Sequence, residues 1–181
     1  MKLEDFADRE PRFILEEFFS GTLRGWGVTI GRLGGFQNRF TIDARGRFVT
    51  PGIIDVHSHL GVYPSPGVQG MSDGNEATNP NTAQVWAEHS LWPQDPGFNQ
   101  ARAGGVTTLQ ILPGSANLFG GRGVTVRNVP SVTMQGMKMP GAPYGLKMAC
   151  GENPSRVYGG RNQSPATGMG NMAGYRAAFI A

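Results

Sequence analysis

The pattern of apolar and polar positions changes near residue 49. Over residues 1–48, aromatic and apolar residues alternate with polar ones around several glycines. The stretch "GWGVTIGRLGGFQNRFTIDARG" predicts an antiparallel hairpin, with strands near 26–30 and 38–43 on either side of a glycine turn. We therefore predict a small β-rich segment at the start of the chain.

Residues 49–181 show short apolar runs that are separated by loops and helical stretches. Buried strands are predicted at "GIIDVHSH", "VTTLQILPG" and "YGLKMACGENP". "GSANLFGGRGV" predicts a glycine-rich loop, whereas "VTVRNV" and "SVTMQGMKM" give weaker strand or edge signals. Helices are predicted at "TAQVWAEHSLW", at "DPGFNQARAGG" with Asp95 as its cap, and at "GNMAGYRAAFIA". This alternation favours an α/β domain with parallel strands, whose carboxyl ends carry the ligand site.

Composition and charge exclude several classes of protein. The 181 residues include 28 glycines and 13 prolines, which indicates a loop-rich chain, and the net charge is only +3. The basic residues are scattered, so nucleic-acid binding is not predicted. The single cysteine, Cys150, excludes an internal disulfide and suits a reducing compartment. Without a long apolar span or an apolar leader, we predict a cytoplasmic protein with no membrane partner.

His57 and His59 are the main candidates for chemistry. Residues i and i+2 of a strand point to the same side, so the two imidazoles converge. Neutral imidazole nitrogens suit a divalent metal, most readily zinc, which activates water for hydrolysis. Asp55 shares that face and would orient a ligand or seal the floor of the site. The alternative is a pair of solvent-facing histidines at the end of a strand.

Three stretches together resemble the amidohydrolase superfamily, the metal-dependent hydrolases related to imidazolonepropionase and dihydroorotase. They are "VTPGIIDVHSHLG", "AGGVTTLQILPGSANLFGGRG" and "APYGLKMACGENPSRVYGGRNQSPATGMGNMAGYRAAF", within a resemblance over about residues 43–181. The resemblance implies the first strands of a (β/α)8 TIM-type barrel. It also implies metal-activated water that attacks an amide or cyclic amide C–N bond, with a small-molecule substrate.

Site residues follow from the resemblance only where the motif matches. It makes His57 and His59 metal ligands and offers Glu152, at a predicted strand end, as the acidic bridging ligand. Lys147 is the competing candidate, as a carboxylated lysine. Arg122, in the glycine-rich loop, is the candidate for binding a substrate anion, although a flexible loop is the simpler interpretation.

Other residues are given simpler roles. His89 is assigned to surface or packing, and Asn75 and Glu76 to the capping of turns. "NPSR" and "ATGMG" depart from the related branch, in which we expect a lysine near Ser155 and an arginine near Gly168. These departures put the substrate contacts of that loop in doubt.

The chain offers fewer site residues than the resemblance implies. A complete barrel typically needs about 250 residues, and the histidines number only three. We assign no catalytic residue and expect a truncated fragment that is inactive alone and associates through exposed barrel edges. Residues 1–48 resemble the start of an uncharacterised, lipocalin-like bacterial family. The alternative function is therefore a non-catalytic β-rich module that binds a small molecule or lipid.

Overall fold

A computed structural model describes the backbone of residues 24–30 and 37–43 and all of residues 50–180. The chain divides into two compact units, Met1–Pro51 and Gly52–Ala181. In the first unit, β1 (Arg24–Ile30) pairs with β2 (Gln37–Asp43) in an antiparallel hairpin. The predicted hairpin is thus confirmed, and the remaining expectations for residues 1–48 lie outside the described residues.

The second unit is a mixed α/β structure built on a curled four-stranded sheet. Its strands are β3 (Ile53–Ser58), β4 (Val106–Ile111), β5 (Phe119–Arg127) and β6 (Gly145–Met148). Its α-helices are α1 (Pro96–Ala103), α2 (Met134–Met137), α3 (Glu152–Gly159) and α4 (Gly168–Ile180). Short 3-10 helices span Gln69–Met71 and Ala87–His89. None of the helices in the described part of the chain has the length and apolar character needed to cross a membrane.

The strand order is β3-β4-β5-β6, and the expectation of a wholly parallel sheet is wrong. β3 and β4 are parallel, but β5 is antiparallel to both β4 and β6. The segment 112–118 between β4 and β5 is too short for a parallel crossover, which takes roughly a dozen residues or more. Because β5 is antiparallel to both neighbours, β6 runs in the same direction as β3 and β4.

The glycine-rich stretch predicted as a loop is partly a strand, because β5 begins at Phe119. Its glycines allow close approach of another backbone segment. Gly121 has a φ of +115°, and a Cβ built there would lie 2.7 Å from the carbonyl oxygen of Val85. The next residue, Arg122, donates its backbone N–H to that same oxygen at 2.7 Å.

Two other sequence predictions are also corrected by the structure. The helix predicted at "TAQVWAEHSLW" is reduced to a single 3-10 turn, since the segment forms isolated bridges with β5 instead. The backbone of Thr82, for example, donates to the carbonyl of Phe119 at 2.9 Å. The weak strand signal at "SVTMQGMKM" becomes α2, whose first turn is capped by the Thr133 hydroxyl.

The core of the second unit lies against one face of β4 and β5. Leu109 pairs with Val126 and Ile111 with Val124, and all four are buried. Phe98 of α1 packs into the same cluster, and α1 begins as predicted, with the Asp95 carboxylate accepting from the N–H of Gly97.

β3 forms the edge of the sheet, which corrects the prediction of a buried strand. Ile53, Ile54 and Val56 are 54%, 66% and 68% exposed. β3 pairs only with β4 within the described residues, so apolar side chains along it remain open to solvent. β3 nevertheless ends at Ser58, as its polar carboxyl end predicts.

Candidate metal site

The two candidate ligands lie together at the carboxyl end of β3. His57 is within the strand, and His59 follows its last residue. Their imidazole centroids are 5.2 Å apart, with the ring planes nearly perpendicular at 84°. Asp55 accepts the backbone N–H of His57 on its carboxylate Oδ1 at 3.0 Å. The carboxylate therefore fixes the end of the strand.

A backbone carbonyl fixes the tautomer of His59. The Nδ1 atom of His59 lies 2.8 Å from the carbonyl oxygen of Leu112, which follows β4. Because a carbonyl oxygen only accepts, Nδ1 carries a proton, and in the neutral ring Nε2 is then the nitrogen with the lone pair. This is the usual support for a metal-ligating histidine, whose second ring nitrogen donates to a carbonyl or carboxylate. Leu112 was not recognised from the sequence, because main-chain atoms leave no side-chain signature.

Lys147 of β6 completes the cluster. Its side chain is buried, and its Nζ lies 3.1 Å from Nε2 of His57. Burial lowers the pKa of Lys147, which favours the neutral amine. The pKa of His57 is also lowered, first by the charge of Lys147, then by burial and by His59, while Asp55 acts in the opposite direction.

The structure does not bring the other predicted site residues to this cluster. Glu152 is exposed in the first turn of α3, beyond the end of β6, which corrects its prediction at a strand end. Among the described residues, no group of three or more His, Cys, Asp or Glu side chains is arranged to hold a metal. Arg122 is exposed on β5, and its guanidinium stacks 4.4 Å from the Trp86 ring centroid.

Asp95 holds the loop that follows His59. Besides capping α1, its buried carboxylate accepts the backbone N–H of Gly61 at 2.8 Å and of Ser65 at 3.2 Å. The cap was predicted from the Asp-Pro pair, but these two longer-range hydrogen bonds were not. One side chain thus connects the loop after β3 to the start of a core helix.

A polar cavity of about 260 Å³ opens beside His59. The polar side chains that line it are Tyr63, Asn75, Ser115, Asn153 and Arg156. Asn75, interpreted as a turn cap from the sequence, accepts from the Tyr63 hydroxyl at 3.2 Å and from the Ala116 N–H at 3.3 Å. Arg156 was not predicted, since a single arginine on a surface helix has no sequence signal until the fold places it at the cavity.

A second cavity, of about 220 Å³, lies beside His89. Its lining includes Asp73 and Glu76 and shares Asn75 with the first cavity. His89 itself is exposed, as its assignment to the surface predicted. The two cavities therefore differ in charge, with a cation in the first lining and carboxylates in the second.

Comparison with known proteins shows what this mixed sheet, with histidines at the end of a strand, is similar to. The chain is 41% identical over 152 residues to "Amidohydrolase tasK" of Hapsidospora irregularis, an alignment that covers 79% of this chain and 16% of that protein. It is 46% identical to an amidohydrolase from Thermotoga maritima MSB8 of known crystal structure, with a TM-score of 0.68. That match covers 72% of this chain and 34% of the other.

The chain is therefore related to the amidohydrolase family, which confirms that resemblance, and it spans only a minor part of either relative. Its four-stranded sheet is consistent with part of an amidohydrolase barrel. Residues 1–56 match a different family, "Protein of unknown function (DUF3833)". The lipocalin-like character of that segment, and the binding function that would follow from it, stay predictions.

Proposed function

We propose that the second unit supplies the metal-binding part of a hydrolase that cleaves the C–N bond of an amide or cyclic amide. The relation to amidohydrolases supports a hydrolase. The neighbouring His57 and His59 imidazoles support a metal site at the carboxyl end of the first strand of the sheet. Zinc is the cation we expect there, because it is commonly bound by neutral imidazole.

The observation that carries the proposal is the hydrogen bond between His59 Nδ1 and the carbonyl of Leu112. In the neutral ring, this hydrogen bond occupies Nδ1 and leaves Nε2 as the nitrogen that can bind a cation. Here β4 supplies an acceptor that directs the Nε2 lone pair away from the backbone. Histidines that bind metals usually donate their second ring N–H in this way, because the hydrogen bond orients the ring and raises its basicity as a ligand.

Lys147 is the third ligand that we favour, in place of Glu152. A neutral lysine amine attacks carbon dioxide, forms an N–C bond and releases a proton, which leaves a carbamate with two acceptor oxygens. Burial of Lys147 favours the neutral amine that this step needs. Because Nζ lies beside His57, a carbamate formed there would lie next to the imidazoles. The two histidines and the carbamate then provide the three protein ligands usual for catalytic zinc.

The residues of this unit hold and orient the site. In the proposed site, His57 and His59 bind the cation. The carbonyl of Leu112 orients the ring of His59, and Asp55 fixes the end of β3. When bound, a divalent cation supplies Lewis-acid polarisation of a carbonyl and a lowered pKa for water. The polar cavity beside His59 would give a substrate access to this arrangement.

Metal analysis of the purified chain tests the proposal. Protein dialysed against zinc and then freed of excess ion should retain about one zinc per chain. The double variant His57→Ala, His59→Ala should retain none, because both imidazole ligands are removed. His89→Ala is the matched control, since this histidine lies outside the cluster, and it should bind zinc like the wild type.

Two results would contradict the metal site. The first is a wild-type chain that retains no zinc although circular dichroism shows it to be folded. The second is equal zinc retention by the wild type and by the His57→Ala, His59→Ala variant. Loss of zinc in His89→Ala as well would indicate that zinc binds at the second cavity, which His89 lines.

A further inference from the structure

The cavity beside His59 has the composition of a site for a small anion. Among the described residues that line it, Arg156 is the one side chain with a full charge at neutral pH, and none is a carboxylate. The guanidinium of Arg156 donates to the neutral amide oxygen of Asn153 at 3.4 Å. A bidentate donor is therefore held at the cavity without an acidic neighbour in the lining.

Hydrogen bonds in the lining leave further donors for a bound group. The Ser115 hydroxyl accepts from the Asn153 side-chain amide at 2.8 Å, so its own proton is directed elsewhere. Asn75 uses its carbonyl oxygen for the Tyr63 hydroxyl and the Ala116 N–H, and its amide group for Asn117. The acceptors in the lining are therefore largely satisfied, while Arg156 and Ser115 remain as donors.

The size and place of the cavity limit what it binds. Its volume of about 260 Å³ is below the roughly 300–1,000 Å³ of sites that enclose a drug-sized ligand. It accommodates one small substituent rather than a whole extended molecule. Because His59 belongs both to the metal cluster and to the lining, a group bound here lies next to the proposed reaction centre.

We propose that the cavity beside His59 binds a carboxylate of the substrate through Arg156 and Ser115, so that the enzyme acts on amides with a carboxylate close to the scissile C–N bond. The proposal rests on the hydrolase function proposed above and adds the class of substrate. N-acyl amino acids have this arrangement, because their carboxylate is one carbon away from the amide nitrogen.

A pair of small probes tests the carboxylate. N-acetylglycine carries it, and N-acetylglycinamide has the same size without the charge. Saturation-transfer NMR on the full chain should show binding of N-acetylglycine and at least about tenfold weaker binding of the amide, as expected when a hydrogen bond to a charged group is lost. Arg156→Gln should weaken N-acetylglycine binding by a similar factor.

Arg102→Gln is the matched control. Arg102 lies near the end of α1 and donates to Asn99 three residues earlier, as Arg156 of α3 donates to Asn153. It is outside the cavity lining, so its substitution should leave N-acetylglycine binding unchanged. Circular dichroism of both variants separates a lost binding site from a lost fold.

The proposal is overturned if both probes bind equally well, if neither binds to folded wild-type chain, or if Arg156→Gln and Arg102→Gln behave alike. Zinc retention, measured on the same preparations, keeps the two proposals apart. Arginine-dependent binding of N-acetylglycine without any retained zinc contradicts the metal site and supports the anion site. Retained zinc with no preference for N-acetylglycine over N-acetylglycinamide supports the metal site and contradicts the anion site.

Discussion

Two regions of the second unit each hold a lysine, but they surround it with different chemistry. Lys147 lies against the imidazole of His57 at 3.1 Å. Lys138 lies against the Glu88 carboxylate at 2.7 Å and also contacts the Tyr144 hydroxyl. The pKa of Lys147 is lowered by burial, whereas that of Lys138 is raised by its hydrogen bonds to Glu88 and Tyr144.

The carboxylate makes the difference between the two lysines. Glu88 favours the charged form of Lys138, which makes that lysine a structural cation. Lys147 has an imidazole as its neighbour and is buried, so its neutral form costs less. Only a neutral amine has the lone pair needed for carbamate formation. The comparison therefore favours Lys147 over Lys138 as the lysine of the proposed metal site.

The largest effect is expected from replacing Lys147, with replacement of Lys138 as the control. Lys147→Met should weaken zinc binding by more than the roughly 10–100-fold that follows loss of an outer-shell partner, because it removes a direct ligand. Lys138→Met should leave zinc affinity unchanged. Competition with a chromogenic chelator measures both. Native mass spectrometry in bicarbonate should detect the added mass of carbon dioxide on the wild type but not on Lys147→Met. Equal zinc affinities of Lys147→Met and Lys138→Met would contradict the assignment of Lys147 as a ligand.

The contributions of two carboxylates, Asp95 and Glu88, to the free energy of unfolding can be compared next. Asp95→Ala removes the acceptor for the backbone N–H groups of Gly61, Ser65 and Gly97. Loss of a helix cap together with buried donors left unpaired should lower the free energy of unfolding by about 3–5 kcal/mol. Glu88→Ala should cost clearly less, since its partners are side chains that can turn to water. Urea unfolding of both variants makes the comparison, and equal losses would refute the anchoring role of Asp95.

A smaller effect should follow from Gly114→Ala. Gly114 lies beside Asn75, whose side chain belongs to the lining of both cavities. A Cβ at Gly114 would overlap with Oδ1 of Asn75, which lines both cavities. We expect a loss of about 1–3 kcal/mol in the free energy of unfolding, typical of overpacking, together with weaker binding of N-acetylglycine. Gly70→Ala is the control, because no atom lies within 4 Å of a Cβ built there. An unchanged affinity in Gly114→Ala would show that Asn75 does not shape the cavity.

The smallest effect concerns pH. Burial tends to raise the pKa of Glu88, but hydrogen bonds from Lys138 and Tyr144 outweigh it, and the net pKa is lowered. A carboxyl with a lowered pKa in the folded state stabilises the fold above its unfolded pKa, near 4.3, and loses this as pH falls further. The small stability advantage of the wild type over Glu88→Gln should therefore be present at pH 7 and shrink below about pH 4. Chemical denaturation at several pH values measures it, and a constant difference would contradict the ionic role.

Local signals were sufficient for several elements. Asp95-Pro96 at the start of α1 and the β-branched run of β4 act through nearest neighbours, so the sequence predicts them well. The hairpin of the first unit was predicted from alternation around glycines. The position of His57 and His59 at a strand end followed from an apolar run that ends in polar residues.

Long-range pairing determined what the sequence did not predict. The segment around Trp86 has the composition of a helix, yet β5 offers it backbone partners at Asn81 and Trp86. The glycines of β5 signalled a loop, but Gly121 is required by the approach of Val85. At the site, Leu112 and Arg156 take part through positions that only the folded chain defines.

The buried side chain of Asn117 carries a consequence for the order in which this unit folds. Its amide donates to the carbonyls of Glu76 and Asn79 and to the Thr82 hydroxyl, over separations of 35 to 41 residues. The loop it holds also contains the Asn75 wall of both cavities. Contacts so distant along the chain close late, after the intervening loop entropy has been lost. The cavity wall should thus gain protection from hydrogen exchange later than the locally stabilised helix α1, and it should do so in a single step as β5 docks.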